Sequence, residues 1–391
     1  MATAYIVECL RTPGGRRNGR LSGWHPADLG AEAVDAVVER SGADPAAIDD
    51  LVLGCVTQAG EQAFAFARNV VLASRRLPET TPAVTIDRQC GSSQQAVQFA
   101  AQAVMSGVQD MVLAGGAESM SRVPMFSNLT LHHEKGLGEG PLSARIRARY
   151  GRDAFSQFEG AEMIARKYGF DREALDLFAL ESHRRAASAT LEGRFGREMI
   201  PLEVRTEAGV EIHDRDEGVR YDATLDAMSL VRPVSEGGVV APSNASQICD
   251  GASAALIVSE KALKQHGMTP IARIVNMTVT AGDPVVMLEE PIRATQRALV
   301  RAGLRLEDID LFEVNEAFAS VPMAWLKALD ADPARLNVNG GAIALGHPLG
   351  ASGTKLLATL THGLRARGLR YGLQTMCEGG GMANVTIIEA L

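Results

Sequence analysis

The chain carries an internal repeat whose two copies lie near its opposite ends. Residues 33–53 (AVDAVVERSGADPAAIDDLVL) and residues 294–314 (ATQRALVRAGLRLEDIDLFEV) each read as an amphipathic helix, a glycine, a short polar bridge and an apolar strand. Gly42 of the first copy and Gly303 of the second are 261 residues apart, and the Ile-Asp pairs that open the two strands keep the same offset. Two matches in register indicate that a helix-and-strand unit has been duplicated, which favours an α/β fold.

The repeat continues beyond these segments. Cys90 precedes the helix SSQQAVQFAAQAVMSG and the strand DMVLAGGAES, and His347 precedes the helix TKLLATLTHGLRARG and the strand LQTMCEGGG. Each half therefore places a reactive side chain at a strand-to-helix turn. Helices that alternate with buried apolar strands predict a sheet with helices on its faces. We therefore expect two α/β halves packed together.

The segment between the two halves differs from them in composition. Residues 120 to about 245 contain Arg-rich and Gly-rich stretches, with helical patterns near 159–168 and 171–192. The first half resumes at DGASAALIVS, residues 250–259. The middle of the chain is therefore interpreted as an insertion that covers the duplicated core.

Composition excludes several classes of protein. The 391 residues suggest two or three domains, and 46% hydrophobic with 22% charged residues is ordinary globular composition. A net charge of −8 argues against a broad nucleic-acid surface. No apolar run is long enough to span a membrane, and no export signal is visible at the amino terminus. The five cysteines are scattered without a Cys-x-x-Cys pair, which argues against zinc and disulfides and for a reducing, cytoplasmic location.

Cys90 stands in DRQCGSSQQAV, between an apolar stretch and the start of a helix. The free N–H groups and the positive dipole end of a helix start favour a thiolate, so Cys90 is a candidate nucleophile. The alternative is a small buried apolar side chain. The small residues that follow it would let a substrate approach the backbone closely.

Two further polar side chains could act with Cys90. His347 sits in the Gly-rich stretch NVNGGAIALGHPLGASG, which cannot be a helix interior. A Cys-His pair is the usual arrangement for an activated thiol, although a loop histidine is more often solvated or structural. Asn315 ends the strand LFEV, where its amide could stabilise an enolate oxygen or cap the next helix.

Cys377 is followed by Glu378 and three consecutive glycines. Such a glycine run after a strand suggests that something must lie against the backbone, and the N–H groups there could bind a developing oxyanion. The alternative, a loop that holds phosphate, lacks both the Walker lysine pattern and a GxGxxG that opens a helix.

Several motifs together resemble those of the thiolases. They are GGAESMS (115–121), NASQICDGASA (244–254), NEAF (315–318), GGAIALGHPLGASG (340–353) and CEGGGMA (377–383), together with the turn of Cys90. The resemblance runs along essentially the whole chain in family order. It implies the thiolase fold, with duplicated βαβαβαββ halves in a layered α/β/α/β/α arrangement and an inserted loop domain.

The resemblance also implies the domain boundaries. The N-terminal half is expected at residues 1–119 plus 246–268, the loop domain that binds coenzyme A at 120–245, and the C-terminal half at 269–391.

The same resemblance implies a role for each site residue. Cys90 would become acylated, and His347 would activate first its thiol and then that of the incoming coenzyme A. Cys377 would protonate the departing acetyl-CoA enolate. Asn315 (through a water) and His347 would form one oxyanion hole, and the N–H groups of Cys90 and Gly379 would form the other.

The resemblance implies acyl-CoA and coenzyme A as substrates, with no metal and no permanently bound cofactor. Ser246 and Arg220 match coenzyme A-facing positions of the family, although each could be an ordinary turn or surface residue. In acetoacetyl-CoA thiolases a loop-domain segment of the type (His/Gly)-Met-Gly-x-Thr-Ala-Glu flanks the acyl pocket. Here the corresponding stretch, SQFEGAEMIA (156–165), lacks the His and the Met that stand before the glycine of that motif. This departure resembles the thiolases of fatty-acid β-oxidation and sterol side-chain degradation.

The leading interpretation is a degradative 3-oxoacyl-CoA thiolase, and the first alternative is an enzyme that forms acetoacetyl-CoA by condensation. A ketosynthase would use Cys-His-His, and a non-catalytic lipid-binding relative should have lost the nucleophile or the acid. A homodimer or homotetramer is expected without nucleic-acid or membrane partners, and the strand that carries GGAES is expected to pair near a twofold axis.

Overall fold

The computed structural model of the protein describes residues 2–207 and 209–391. Its strands are β1 (Ala4–Arg11), β2 (Gly15–Arg16), β3 (Asp50–Gly54), β4 (Ala83–Ile86), β5 (Met111–Ser119), β6 (Leu202–Thr206), β7 (Gly209–His213), β8 (Cys249–Ser259), β9 (Ala272–Ala281), β10 (Leu311–Val314), β11 (Tyr371–Glu378) and β12 (Met382–Ala390). Its helices are α1 (Pro26–Ser41), α2 (Phe66–Ala73), α3 (Ser92–Ser106), α4 (Ser127–Lys135), α5 (Ala144–Tyr150), α6 (Gln157–Tyr168), α7 (Arg172–Leu191), α8 (Leu225–Ser229), α9 (Glu260–His266), α10 (Pro291–Ala302), α11 (Ser320–Leu329), α12 (Ala342–Leu345) and α13 (Ser352–Arg367).

The two halves of the repeat arrange their strands in the same order. The first half runs β1, β8, β5, β3, β4, and the second runs β9, β12, β11, β10. Leu336 forms a parallel bridge with Phe312 of β10, in the place that β4 takes beside β3. Antiparallel pairing of β1 with β9 joins the two halves. The duplication seen in the sequence therefore extends to the whole topology of each half.

Helices form three layers around these strands. The outer helices α1 and α2 contact strands of the first half, and α10 contacts strands of the second half. Between them, α3 and α13 pack against each other and contact strands of both halves. Apolar side chains of α3, α13 and both sets of strands share one buried cluster. The result is the α/β/α/β/α layering of the thiolase fold, which confirms the predicted fold class.

Small residues allow α3 and α13 to approach closely. A Cβ atom on Gly353 would lie 2.0 Å from the backbone nitrogen of Gln94, so a larger residue would push the helices apart. The backbone N–H of Thr354 also donates a 3.0 Å hydrogen bond to Oγ of Ser93. All four residues lie in the first turns of the two helices, so this contact holds the preceding turns next to each other.

The chain between β5 and β8 forms helices α4 to α8 and the hairpin of β6 and β7. That hairpin is a separate two-stranded sheet. Helices α6 and α7 lie where the sequence predicted helical patterns. This is the segment predicted as the loop domain, and its boundaries at 120 and 245 stay a prediction.

The position expected for the GGAES strand is wrong. β5 lies between β8 and β3: it pairs with β8 over Met111–Ser119 and with β3 over residues 112–116, so most of the strand has no free edge for a second copy. The strand at the end of the sheet order in the first half is β4.

No helix within residues 2–207 and 209–391 is long and apolar enough to cross a membrane.

Candidate active site

Cys90 lies in the turn between β4 and α3 and is almost completely buried. Gln89 before it has φ of 49°, a left-handed conformation that is costly for a residue with a side chain and that is frequent at functional sites. The thiol belongs to a small apolar cluster with Val56, Met120, Leu349, Leu356 and Met376. Leu349 follows His347 by two residues and Met376 precedes Cys377, so this cluster ties three of the predicted site segments together.

His347 is buried in the turn before α13, where its backbone N–H donates a 3.0 Å hydrogen bond to the carbonyl oxygen of Gln247. Its Nδ1 atom lies 2.5 Å from Oγ of Ser352. The same hydroxyl donates to the carbonyl oxygen of Pro348 over 2.8 Å. Because a hydroxyl has one proton to donate, Ser352 must accept from Nδ1–H of His347. The other ring nitrogen, Nε2, is left without a proton and is free to act as a base.

Asn315 follows β10 directly and is buried. Its Nδ2 atom lies 3.4 Å from Nε2 of His347, so an amide N–H faces the free lone pair of the imidazole. Its Oδ1 atom is buried and has no hydrogen-bond partner within residues 2–207 and 209–391. A buried acceptor of this kind leaves a place for a donor from a bound water or substrate.

Cys377 lies near the end of β11 and is completely buried. Burial raises the pKa of its thiol well above the ordinary value, and the neighbouring Cys90 adds to this. Gly379 follows the strand, and a Cβ atom there would lie 2.8 Å from Oε1 of Gln89. The structure thus brings Cys377 and Gly379 to the turn of Cys90, although they come from the opposite half of the chain.

Both reactive groups at the centre of this site are neutral at rest. Burial is the main cause that raises the pKa of Cys90 to about 12, and Glu378 contributes to this in its ionised form. Burial lowers the pKa of His347 to about 3, with a smaller contribution from the charge of Lys355. Burial therefore opposes the thiolate that the helix start was expected to favour. The thiol must lose its proton to the imidazole as it attacks a bound substrate.

A cavity of about 440 Å³ opens beside His347. Ser246 and Arg220, the two predicted coenzyme A contacts, both line it. Sequence reasoning missed Arg16 and Arg17, which line the same cavity. The run RTPGGRRNGR after β1 was the available signal, but nothing local shows that this turn faces the second half. The remaining wall is largely apolar and includes Met120, Met125, Phe158, Phe318 and Leu349.

A second cavity of about 410 Å³ is lined by Asp87, Arg88 and Gln89 of the Cys90 turn and by Gly379. Its apolar wall comprises Phe126, Leu129, Phe155, Met287 and Met382. Gln157 lines both cavities. The two cavities therefore adjoin at Gln157, with His347 in the wall of one and Gln89 and Gly379 in the wall of the other.

Comparison with known families identifies the kind of protein. The family described as "Thiolase, N-terminal domain" matches residues 4–261, and "Thiolase, C-terminal domain" matches residues 268–390. The chain belongs to the thiolase family. Thiolases are acyltransferases, so this thiolase is an enzyme of that class.

The similar proteins match this chain over nearly their full length. Steroid 3-ketoacyl-CoA thiolase FadA6 of Mycobacterium tuberculosis is 50% identical over 392 residues, covering 100% of this chain and 95% of the relative. The 3-ketoacyl-CoA thiolase of Bacillus subtilis is 41% identical over 100% of both chains. The crystal structure of human mitochondrial 3-ketoacyl-CoA thiolase matches with a TM-score of 0.89 and 38% identity, covering 100% of this chain and 99% of the other. The Bacillus anthracis acetyl-CoA acetyltransferase structure matches with a TM-score of 0.91 and 34% identity over the same shares.

Proposed function

We propose that this thiolase cleaves 3-oxoacyl-CoA with coenzyme A, giving acetyl-CoA and an acyl-CoA shortened by two carbons. The observation that carries this proposal is the convergence of two buried cysteines with the chain Asn315–His347–Ser352. Thiolytic cleavage needs a nucleophile, a base, an acid for a carbanion and a site for negative charge. The geometry offers a candidate for each.

In the first step, Nε2 of His347 takes the proton of Cys90 as the sulfur attacks the 3-oxo carbon. Negative charge then develops on the former carbonyl oxygen. Asn315, through a water, and protonated His347 are the proposed donors to one oxyanion, and the N–H groups of Cys90 and Gly379 are the donors to the other. The bond between the second and third carbons breaks, and Cys377 gives its proton to the acetyl-CoA enolate. Cys90 is left acylated.

In the second step, a molecule of coenzyme A enters in place of acetyl-CoA. The proton that His347 took from Cys90 has by then passed to Cys377, so the neutral imidazole accepts the proton of the coenzyme A thiol as the new sulfur attacks the acyl carbon on Cys90. The bond to Cys90 breaks and the shortened acyl-CoA leaves. The departing Cys90 sulfur takes the proton back from His347, so both cysteines are thiols again before the next cycle. Coenzyme A acts here as a substrate, and we propose no permanently bound cofactor.

The cavity beside His347 is the proposed coenzyme A site. Arg16, Arg17 and Arg220 lie along it and could pair with the phosphates, since guanidinium groups bind phosphate through forked hydrogen bonds. The apolar wall suits the pantetheine arm, which must reach Cys90. Ser246 lines the same cavity, and its backbone N–H is hydrogen-bonded to Ala317 over 2.9 Å.

The second cavity is the proposed site of the acyl group. Its volume of about 410 Å³ and its aromatic and aliphatic wall favour a bulky apolar chain over an acetyl group. The similarity to a steroid thiolase supports the same choice. We therefore propose fatty-acid or sterol side-chain degradation as the setting. The alternative, formation of acetoacetyl-CoA by condensation, would leave this cavity largely unused.

The experiment that tests the function is a thiolysis panel with 3-oxoacyl-CoAs from four carbons to a sterol side chain. We expect kcat/KM to rise with acyl bulk, and a preference for acetoacetyl-CoA would support the alternative.

Brief incubation with substrate should leave an acyl adduct on the Cys90 peptide in mass spectrometry. Cys90→Ser should fold but lose nearly all turnover, because an alkoxide is far harder to form than a thiolate. An adduct on Cys377 would reverse the two roles.

We also propose a homodimer or homotetramer formed through the free edge of β4. Phe64, Leu72 and Val84 are exposed on and beside this edge strand, and α2 packs on it. Unpaired strand edges with apolar side chains favour pairing with a second copy. Light scattering should give an oligomeric mass, which Val84→Asp should reduce, and a monomeric native mass would contradict the proposal.

The five free cysteines support a reducing location, which we take as the cytoplasm.

A further inference from the structure

Glu118 and Glu378 take equivalent places in the two halves, at the ends of β5 and β11. Both side chains are completely buried. The carboxylate of Glu118 is fully supplied with donors. It accepts the backbone N–H groups of Val56, Thr57 and Gly350, each over 2.9 Å, and Nε2–H of Gln62 over 3.1 Å. Glu118 is thus an ordinary structural carboxylate of the fold.

Glu378 has none of these donors. Neither of its carboxyl oxygens has a hydrogen-bond partner in the part of the chain that the structure describes. Oε1 lies against the residue that follows the nucleophile, because a Cβ atom on Gly91 would be 2.0 Å from it. Asn384, from β12, reaches the same place, and its Nδ2 donates to the carbonyl oxygen of Gly91 over 3.0 Å.

The charged groups around Glu378 do not compensate for this burial. Arg88, in the Cys90 turn, contacts Sδ of Met382 at 3.8 Å, and its Nε atom has no partner within residues 2–207 and 209–391. Asp87 in the same turn is also acidic. Burial raises the pKa of Glu378 well above its ordinary value, the Arg88 charge partly offsets this, and Asp87 adds to it. A buried carboxyl without donors resists ionisation.

We propose that Glu378 is a positioning residue for the nucleophile: its uncharged carboxyl group fills the space behind Gly91 while Cys90 reacts, and its ionisation as the pH rises holds Cys90 in the thiol form. The proposal rests on the proposed role of Cys90. The physical cause is repulsion, since a negative charge beside the Cys90 turn opposes a second negative charge on the sulfur. The equivalent residue of the first half is placed differently, because the carboxyl group of Glu118 is held by four donors and lies at Val56, Thr57 and Gly350 rather than against Gly91.

The test compares Cys90 alkylation in the native enzyme and in Glu378→Gln across a pH series. Iodoacetamide is the probe, and mass spectrometry of the Cys90 peptide gives the rate. While Glu378 is protonated, the ratio of variant to native rates should stay near one. As Glu378 ionises, the ratio should rise, by roughly tenfold for each unit by which the carboxylate raises the thiol pKa. A ratio that does not change with pH would overturn the proposal. A purely structural effect of the substitution would change the alkylation rate equally at low and at high pH.

Glu378→Met supplies a second uncharged side chain of similar length and should reproduce the rise. Glu313→Gln is the matched control, because Glu313 is another buried carboxyl of the second half with an unpartnered Oε2 atom. Its ratio should stay flat. A rise in Glu313→Gln would show a general effect of charge removal and would also overturn the proposal. Alkylation needs no thiolysis, so an enzyme that failed to cleave 3-oxoacyl-CoA could still show the coupling between Glu378 and Cys90.

Discussion

The hydroxyl of Ser352 connects the imidazole of His347 to the backbone of its own turn. Oγ lies 2.5 Å from Nδ1 of His347 and donates to the carbonyl oxygen of Pro348 over 2.8 Å. This arrangement decides which ring nitrogen carries the proton. It turns Nε2, the nitrogen near Asn315, into the only free base of the ring.

Replacing Ser352 with alanine should therefore slow both acylation and deacylation. Loss of one buried hydrogen-bond partner costs about 1–3 kcal/mol, which corresponds to roughly a fivefold to hundredfold loss of rate. The two half-reactions can be followed by single-turnover kinetics. Ser106→Ala, at the exposed end of α3, is the control and should behave as the native enzyme. Native rates in Ser352→Ala would mean that another contact sets the tautomer.

Cys377→Ala should separate carbon–carbon chemistry from acyl transfer. Moving an acetyl group from acetyl-CoA to Cys90 and on to another thiol requires no carbanion. Thiolysis should fall by roughly 10²-fold or more, the usual loss for a general acid or base, while acetyl exchange continues at a substantial fraction of the native rate. His347→Ala should damage both reactions, since both need a thiol deprotonated.

Cys9→Ala, in β1, is the control for removing a buried thiol. If Cys377→Ala lost thiolysis and acetyl exchange equally, this cysteine would have a structural role, and the two-cysteine mechanism would have to be abandoned.

The depressed pKa of His347 should make the fold sensitive to acid. The unfolded chain titrates this histidine near 6.5 and the folded protein near 3. Between these values protons bind the unfolded chain more tightly, so the free energy of unfolding falls as the pH drops. From pH 7 to pH 5 this one group should remove about 2 kcal/mol. In urea unfolding of His347→Gln, the free energy of unfolding should therefore fall less between pH 7 and pH 5 than it does in the native enzyme.

His133→Gln, at an exposed position of α4, is the control and should retain the native pH dependence. An unchanged acid-side slope in His347→Gln would show that the imidazole is not kept neutral by burial.

Leu129→Trp should narrow the proposed acyl cavity from its partly exposed rim. The tryptophan would occupy space that the substrate needs, at a free-energy cost similar to that of overpacking a protein core. We therefore expect kcat/KM for a sterol-bearing 3-oxoacyl-CoA to fall by roughly tenfold or more. Acetoacetyl-CoA should be cleaved nearly as before. Leu177→Trp, on the exposed face of α7, is the control. Equal losses for both substrates would place the acyl group elsewhere.

The sequence by itself determined the duplicated topology and the residues at its turns. The matching positions of Gly42 and Gly303 indicated the repeat, and alternating helices and strands followed from apolar periodicity, which is a local property. Motifs around Cys90, Asn315, His347 and Cys377 pointed to the family without any contact between them being known.

Tertiary structure decided the electrostatics and the shape of the site. The helix start near Cys90 is visible in the sequence, but the desolvation that keeps its thiol protonated comes from segments far away in the chain. The edge strand β4 and the internal strand β5 could not be distinguished locally, because each begins with a short apolar run. Glu118 and Glu378 look alike in the two copies, yet only the packing of the halves gives donors to one and withholds them from the other. Burial and pairing depend on residues brought together from distant positions, and no local pattern encodes them.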